Sequence, residues 1–299
     1  MSTSADVRPV GGGASLRGLG YLSFTALAWG VNWPVMKFLL SEVSPYQMRV
    51  LTCLIGAAFT FALAGLQRER MLPPPGQWSR LVVSAWLNFS AFMICSVTAM
   101  HWLSASEAVI VAYTLPIWAA LLAWPMLGER PTLVRWAALL TGLAGIGILM
   151  GPELRASWSK LPGLGFGLAG AILFALGMVI TKRRPVLMPP TAAVAWQILL
   201  AAVPLLVLAL LLERPTLDRL TGLGWAAVFY LSLLPLSLAY MTWFRALHLL
   251  PASTAAIATL LVPVVGVFAS ALMLAEPLGV RQIAALGLTL GGVALATRA

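Results

Sequence analysis

The segment from Ala105 to Gly147 occurs twice in this chain, and a duplicated apolar segment leaves few folds open. It holds an apolar run centred on Pro116, a short polar break at Glu129 and Arg130, and a second apolar run rich in glycine. A shift of 147 positions carries His101 onto His248, Pro116 onto Pro263 and Glu129 onto Glu276. About ten of roughly thirty ungapped positions are identical, among them Leu103 and Leu250, Ala105 and Ala252, Ser106 and Ser253, and Met126 and Met273. One residue drops out after the glutamates, and the match resumes with Pro131 on Pro277, Arg135 on Arg281 and Gly145 on Gly291. Duplication near half the chain length, in segments long enough to cross a bilayer, is a signature of membrane folds built from internal repeats.

The solvent for this fold is lipid. Of the 299 residues 61% are hydrophobic and only 9% charged, with a mean hydropathy of +0.94, far outside the range of soluble domains. A net charge of +10 raises the question of nucleic acid, but the 19 lysines and arginines are scattered in short breaks between apolar runs and form no basic face. Cys53 and Cys95 each lie inside an apolar run, so no disulfide is expected. Arg8 and Arg17 ahead of an apolar stretch resemble a signal peptide, but the run continues to Leu40 and reads as an uncleaved first helix.

A spanning helix needs about 20 apolar residues, and ten such runs are present: 18–40, 46–66, 78–100, 104–127, 132–151, 162–181, 191–212, 222–245, 252–275 and 279–297. Helix-stopping residues fall between them, as at Ser44-Pro45, Pro73 to Gly76, Arg130-Pro131, Pro189-Pro190 and Arg214-Pro215. The expected fold is all-α, a polytopic membrane protein with a disordered tail over 1–15 and two five-helix repeats over 16–151 and 152–299. Counted on alternate sides, twelve basic residues lie on the side of the termini and seven on the other, which places both termini in the cytoplasm. Five spans is an odd number, so the second repeat enters from the opposite side, an inverted arrangement with a site between the halves near the midplane.

Polar and amphipathic residues inside spans must face protein or a wet cavity, so they are the candidates for function. Asn32, in the cluster Trp29-Gly30-Val31-Asn32-Trp33-Pro34, offers donors and an acceptor to a ligand or to a neighbouring carbonyl, and both readings stand. Asn88 and Gln197 either meet a ligand or pin helices together. Tyr113, Tyr240 and Trp243 lie toward mid-membrane depth or one edge, and serve either the interfacial belt, to which Trp78, Trp158 and Trp225 belong, or, as the preferred reading, the wall of a cavity for planar or cationic ligands. Pro116 and Pro263 each remove a backbone hydrogen bond at equivalent places, giving a pair of kinks that serve either as hinges or as static bends. Glu107 falls in the first turn of the fourth span, where the helix dipole favours it, with a proton or cation site as the alternative. Lys37 and Arg49 lie near span ends and are expected to snorkel outward. His101 and His248 lack the neighbours that a metal site needs, and no Walker loop, nucleophile elbow or HExxH motif points to an ATPase subunit, a cofactor or intramembrane catalysis.

With these residues in view the chain resembles the drug/metabolite transporter superfamily, specifically its EamA-type ten-span exporters. The resemblance rests on Trp29-Gly30 and Asn32, on Ala105 to Glu129 with Pro116, on Gly142 to Gly147, on Ala239-Tyr240 with Trp243 and Ala246, and on Leu250 through Pro263 to Glu276. It is most similar to the branch exporting aromatic and other amino acids and the dication paraquat. The resemblance implies a secondary exporter in the bacterial inner membrane, working by alternating access on small metabolites. It also implies a cavity lined by the first, third, fourth, sixth, eighth and ninth spans, which adds Phe174, Met178 and Thr259 to Trp29, Asn32, Asn88, Tyr113, Tyr240 and Trp243. The family's second span commonly carries an arginine several residues further in than Arg49 stands from Pro45. A nucleotide-sugar or phosphate-ester exchanger on the same fold would need convergent lysines or arginines at midplane, which the runs lack. A scaffold without transport would leave the central polar and aromatic residues without a task.

Overall fold

The computed structural model describes residues 12–128, 132–150, 158–249 and 261–298. Every long element among them is a helix. In chain order they are α1 (Gly12–Leu39), α2 (Pro45–Leu66), α3 (Trp78–Ala99), α4 (Ala105–Ala112), α5 (Leu115–Leu127), α6 (Leu133–Met150), α7 (Leu161–Arg183) and α8 (Pro190–Leu212). They are followed by α9, which runs Gly222–Leu233 and on through Ala239–Leu249, then α10 (Leu261–Leu274) and α11 (Val280–Arg298). The expected tail over 1–15 is entered by α1 at Gly12, and residues 1–11 lie outside the described ones.

Among the described residues six stretches are long and apolar enough to cross a membrane: Pro45–Leu66, Trp78–Ala99, Ala105–Met126, Leu161–Arg183, Pro190–Leu212 and Gly222–Trp243. At about 1.5 Å per residue each reaches roughly the 30 Å of a hydrocarbon core. Leu206, Val207, Leu210, Leu211 and Leu212 at the end of α8 are exposed, as a lipid-facing surface requires. Prolines open α2, α7 and α8, where the first N–H groups have no intrahelical acceptor to lose.

The expected fourth span is interrupted. Helix α4 stops at Ala112, Tyr113 and Thr114 form a turn, and α5 restarts at Leu115 with Pro116 in its first turn. Pro116 has no N–H to return to the Ala112 carbonyl, so the break falls where the chemistry demands it. The Thr114 hydroxyl bridges the gap, donating to the Val111 carbonyl at 2.7 Å and accepting from the Trp118 indole at 3.1 Å. Pro263 sits buried near the start of the described part of α10, and residues 250–260, which precede it, lie outside the described ones.

Glutamates join the helices end to end. Glu69, after α2, accepts from the Ala192 N–H at the start of α8, and Glu213, after α8, accepts from the Tyr46 and Gln47 N–H groups at the start of α2. Helices α2 and α8 therefore run antiparallel along their length. Glu276, after α10, accepts from the Ala105 and Ser106 N–H groups and the Ser106 hydroxyl at the start of α4. Each carboxylate satisfies donors that the helix itself cannot, at the positive end of its dipole. Glu107 does the same within its own helix, in a capping box with Ser104, and pairs with Lys160 at 2.5 Å.

Helix α1 packs on α9, α10 and α4, while α7 packs on α3, α4 and α5. Helix α2 lies against α8, and α6 against α11. The buried core follows from these crossings. One cluster gathers Trp33, Met36 and Leu39 of α1 with Val97 of α3 and Val109 to Ala112 of α4; a second gathers Cys53 and Ala57 of α2 with Phe89 and Met93 of α3 and Ile198 and Leu205 of α8.

Candidate functional site

Two of the described helices change pitch partway along their length. Helix α3 widens to a π-turn over Trp86–Ala91, and α9 does so over Leu234–Leu238. Such turns leave backbone carbonyls outside the regular ladder and re-aim the side chains that follow. In α9 the Pro235 carbonyl accepts the Trp29 indole N–H at 3.0 Å. Ser237 in the same turn donates to the Gly56 carbonyl at 3.2 Å and receives a hydrogen bond from Thr60 at 2.9 Å, which fixes the turn against α2.

The consequence is an aromatic cluster made by three helices. The Trp29 ring of α1 meets Tyr240 of α9 edge-on at 5.2 Å and Trp243 at 5.8 Å, and Tyr240 lies against Phe89 of α3 at 5.0 Å. Gly30 lets α10 reach α1, since a Cβ there would stand 2.4 Å from Val265 Cγ1. Asn32, one turn further along α1, is half-buried, as are Tyr113 and Tyr240. Among the described residues the Asn32 carboxamide and the two phenols have no hydrogen-bond partner, and the Asn88 Oδ1 is buried without one. Polar groups on an aromatic wall without a protein partner are what a ligand site offers.

The other expected residues fall differently. Phe174 of α7 stacks edge-on with Phe92 at 5.3 Å, and Phe92 meets Trp33 at 6.4 Å, forming a second aromatic group beside the first. Met178, one turn beyond Phe174, is exposed. Asn88 sits in the π-turn of α3 and donates to Ser84 and Thr181, and Ser84 in turn donates to Gln197. Both Asn88 and Gln197 thus join α3, α7 and α8, with Gly177 leaving the room that Asn88 occupies. Thr259 lies outside the described residues.

Lys37 and Arg49 do not snorkel outward. Lys37 turns inward to the Met100 and Leu103 carbonyls past the end of α3, where a cation suits the helix dipole. Arg49 is enclosed, with 6% of its surface exposed, between Met36 of α1 and Ser96 of α3. Sequence reasoning also missed the π-turns, although Pro235 and Ser237 inside an apolar span are a readable sign of one. No group of His, Cys, Asp or Glu among the described residues could hold a metal ion.

Long apolar helices with polar groups turned inward define a multi-pass membrane protein. The chain belongs to the EamA-like transporter family, whose pattern it matches twice, over residues 16–151 and 161–298. The family is one of transporters, not enzymes. The chain is 29% identical over 290 residues to the aromatic amino acid exporter YddG of Ancylobacter novellus, covering 92% of this chain and 96% of that one. It is 26% identical over 293 residues to a probable amino-acid metabolite efflux pump of Salmonella typhimurium, covering 92% and 93%. It is 26% identical over 274 residues to the uncharacterized transporter YvbV of Bacillus subtilis, covering 92% and 89%. A solved crystal structure 24% identical in sequence superposes with a TM-score of 0.67 over 96% of both chains, which shows a shared fold.

Proposed function

We propose that this protein is a secondary exporter of amino acids, aromatic ones among them, and of related small metabolites or cationic drugs across the bacterial inner membrane. The observation that carries the reading is the aromatic cluster of Trp29, Tyr240, Trp243 and Phe89, together with Asn32 and Tyr113, whose side chains have no hydrogen-bond partner among the described residues. Rings supply apolar contact and cation–π attraction, and the free amide and phenols supply orientation. Phe174, Met178 and Thr259 complete the proposed lining from α7 and the ninth expected span. The names borne by the Ancylobacter and Salmonella relatives favour amino acids.

The transport cycle rests on two inverted five-helix repeats over 16–151 and 152–299. Three features support it: α2 and α8, counterparts in the repeat, run antiparallel and cap each other; α3 and α9, also counterparts, both carry π-turns; and α1 meets α9 and α10 as α7 meets α3 and α5. Rocking one half against the other about Pro116 and Pro263 would expose the central site to each side in turn. The basic-residue count favours both termini in the cytoplasm.

The test is efflux from liposomes reconstituted with the full chain and loaded with radiolabelled phenylalanine, threonine, glucose 6-phosphate or a dication. Faster release of the amino acids than of the phosphate ester supports the reading. Release of the phosphate ester alone, or of none of the four, overturns it.

A further inference from the structure

Resting on the exporter reading, we propose that Arg49 is the group that recognises a carboxylate on the transported molecule, so that the substrate class is a carboxylate bearing an apolar or aromatic side chain. Arg49 stands one turn into α2 and is buried, with 6% of the residue exposed. Among the described residues its Nε is enclosed without any hydrogen-bond partner, and Nη2 meets only the Met36 thioether and, at 3.4 Å, the Ser96 hydroxyl. A guanidinium has five donors in a planar fork, and a sulphur with one long hydroxyl contact leaves most of them unused.

No carboxylate of the described residues serves as its counter-ion. Glu42 is held by the Thr221 N–H and hydroxyl, Glu69 by Ala192, Glu107 by Ser104 and Lys160, Glu213 by Tyr46 and Gln47, and Glu276 by Ala105 and Ser106. Asp218 sits in an exposed turn. Lys37 provides the internal contrast, because its ammonium meets two backbone carbonyls and is accounted for by the fold. A buried cation left unpaired is strongly unfavourable, and a protein with no use for the charge does better with an apolar side chain of similar volume.

The position gives the missing anion a place. Met36 and Ser96 belong to α1 and α3, the helices that carry Trp29, Asn32 and Phe89, and the α2 residues that flank Arg49, Val50 and Cys53, pack in the same cluster as Phe89 and Tyr240. A carboxylate that displaces the unbranched, adaptable Met36 side chain meets the guanidinium fork in bidentate geometry, while its side chain extends to the rings. A cation without a carboxylate gains nothing from this group and is repelled by it.

The experiment compares L-phenylalanine with L-phenylalaninamide, which lacks the carboxylate, in exchange assays on proteoliposomes of the full chain. Wild type is expected to reach half-maximal exchange with the acid at a concentration about tenfold or more below that for the amide, the scale of a charge-assisted hydrogen-bonded pair. Arg49→Met is expected to erase the preference while still exchanging the amide, and Arg49→Lys to keep part of it, because a point charge replaces the fork. Should Arg49→Met fail to fold, the acid-to-amide ratio of Arg49→Lys decides. An unchanged ratio in either folded variant, or no preference in wild type, overturns the assignment and leaves the exporter standing. An equal loss of both substrates in Arg49→Met also overturns it, since the residue then acts on the fold and not on the carboxylate. Exchange of neither compound by wild type sinks the exporter reading itself.

Discussion

Replacing Gly30 by alanine tests whether the crossing behind the aromatic cluster is as close as described. The new Cβ would lie 2.4 Å from Val265 Cγ1, 2.6 Å from Val265 Cβ and 3.1 Å from the Gly266 nitrogen. Carbon atoms in contact prefer about 3.5–4.0 Å, so α1 and α10 must part by about 1 Å or Val265 must leave its rotamer, which a β-branched side chain resists. Helix α10 is closely packed on its other neighbour too, since a Cβ on Gly266 would stand 3.0 Å from Val109 Cγ2 of α4. Overpacking of this kind costs about 1–3 kcal/mol. Gly20, in the same helix, has nothing within 4 Å of a built Cβ and provides the control. Thermal unfolding of the purified protein in detergent should show a lower midpoint for Gly30→Ala and none for Gly20→Ala. Adding Val265→Ala removes the atom at 2.4 Å but leaves the one at 2.6 Å, so rescue should be partial, and the double-mutant cycle should show positive coupling. Equal midpoints for the two single variants would refute the close crossing.

Glu276→Gln should lower stability by about 1–2 kcal/mol, because the charge is lost from a carboxylate that holds three donors at the start of α4. An unfolding midpoint equal to wild type would show that this clasp contributes nothing. Single cysteines placed in 214–220 should label from outside and those in 68–76 and 182–188 from inside, after Cys53 and Cys95 are replaced; the reverse pattern would invert the orientation. Transport should run downhill and ignore an imposed pH gradient, since Glu107 inside the fourth span is committed to Ser104 and Lys160. Accumulation that collapses with a protonophore, and is lost in Glu107→Gln, would show proton coupling instead.

Much of the fold was legible because the bilayer fixes helix length and prolines fix helix starts. The run expected at 46–66 is Pro45–Leu66, and those expected at 162–181 and 191–212 are Leu161–Arg183 and Pro190–Leu212. The fate of a polar side chain was less legible, since it depends on what crosses it. Asn32 and Asn88 look alike as residues in apolar runs, yet Asn88 meets Ser84 and Thr181 because Gly177 opens a gap beside it, while Asn32 meets no described partner. Arg49 and Lys37 both stand near span ends, where snorkelling is the simple expectation. Both turn inward, and only the tertiary structure shows that Lys37 finds carbonyls and Arg49 does not.

The central claim is that Trp29, Asn32, Tyr113, Tyr240 and Trp243 form the site through which an amino acid crosses. Counterflow of labelled phenylalanine into preloaded proteoliposomes tests it most directly, comparing wild type with alanine at each of the five positions and with Gly20→Ala. A wall residue contributes on the order of 1–2 kcal/mol to a bound ligand, so each site variant should raise the half-saturating concentration about five- to thirtyfold while remaining folded. Wild-type counterflow that survives unchanged in all five variants would place the site elsewhere and contradict the account.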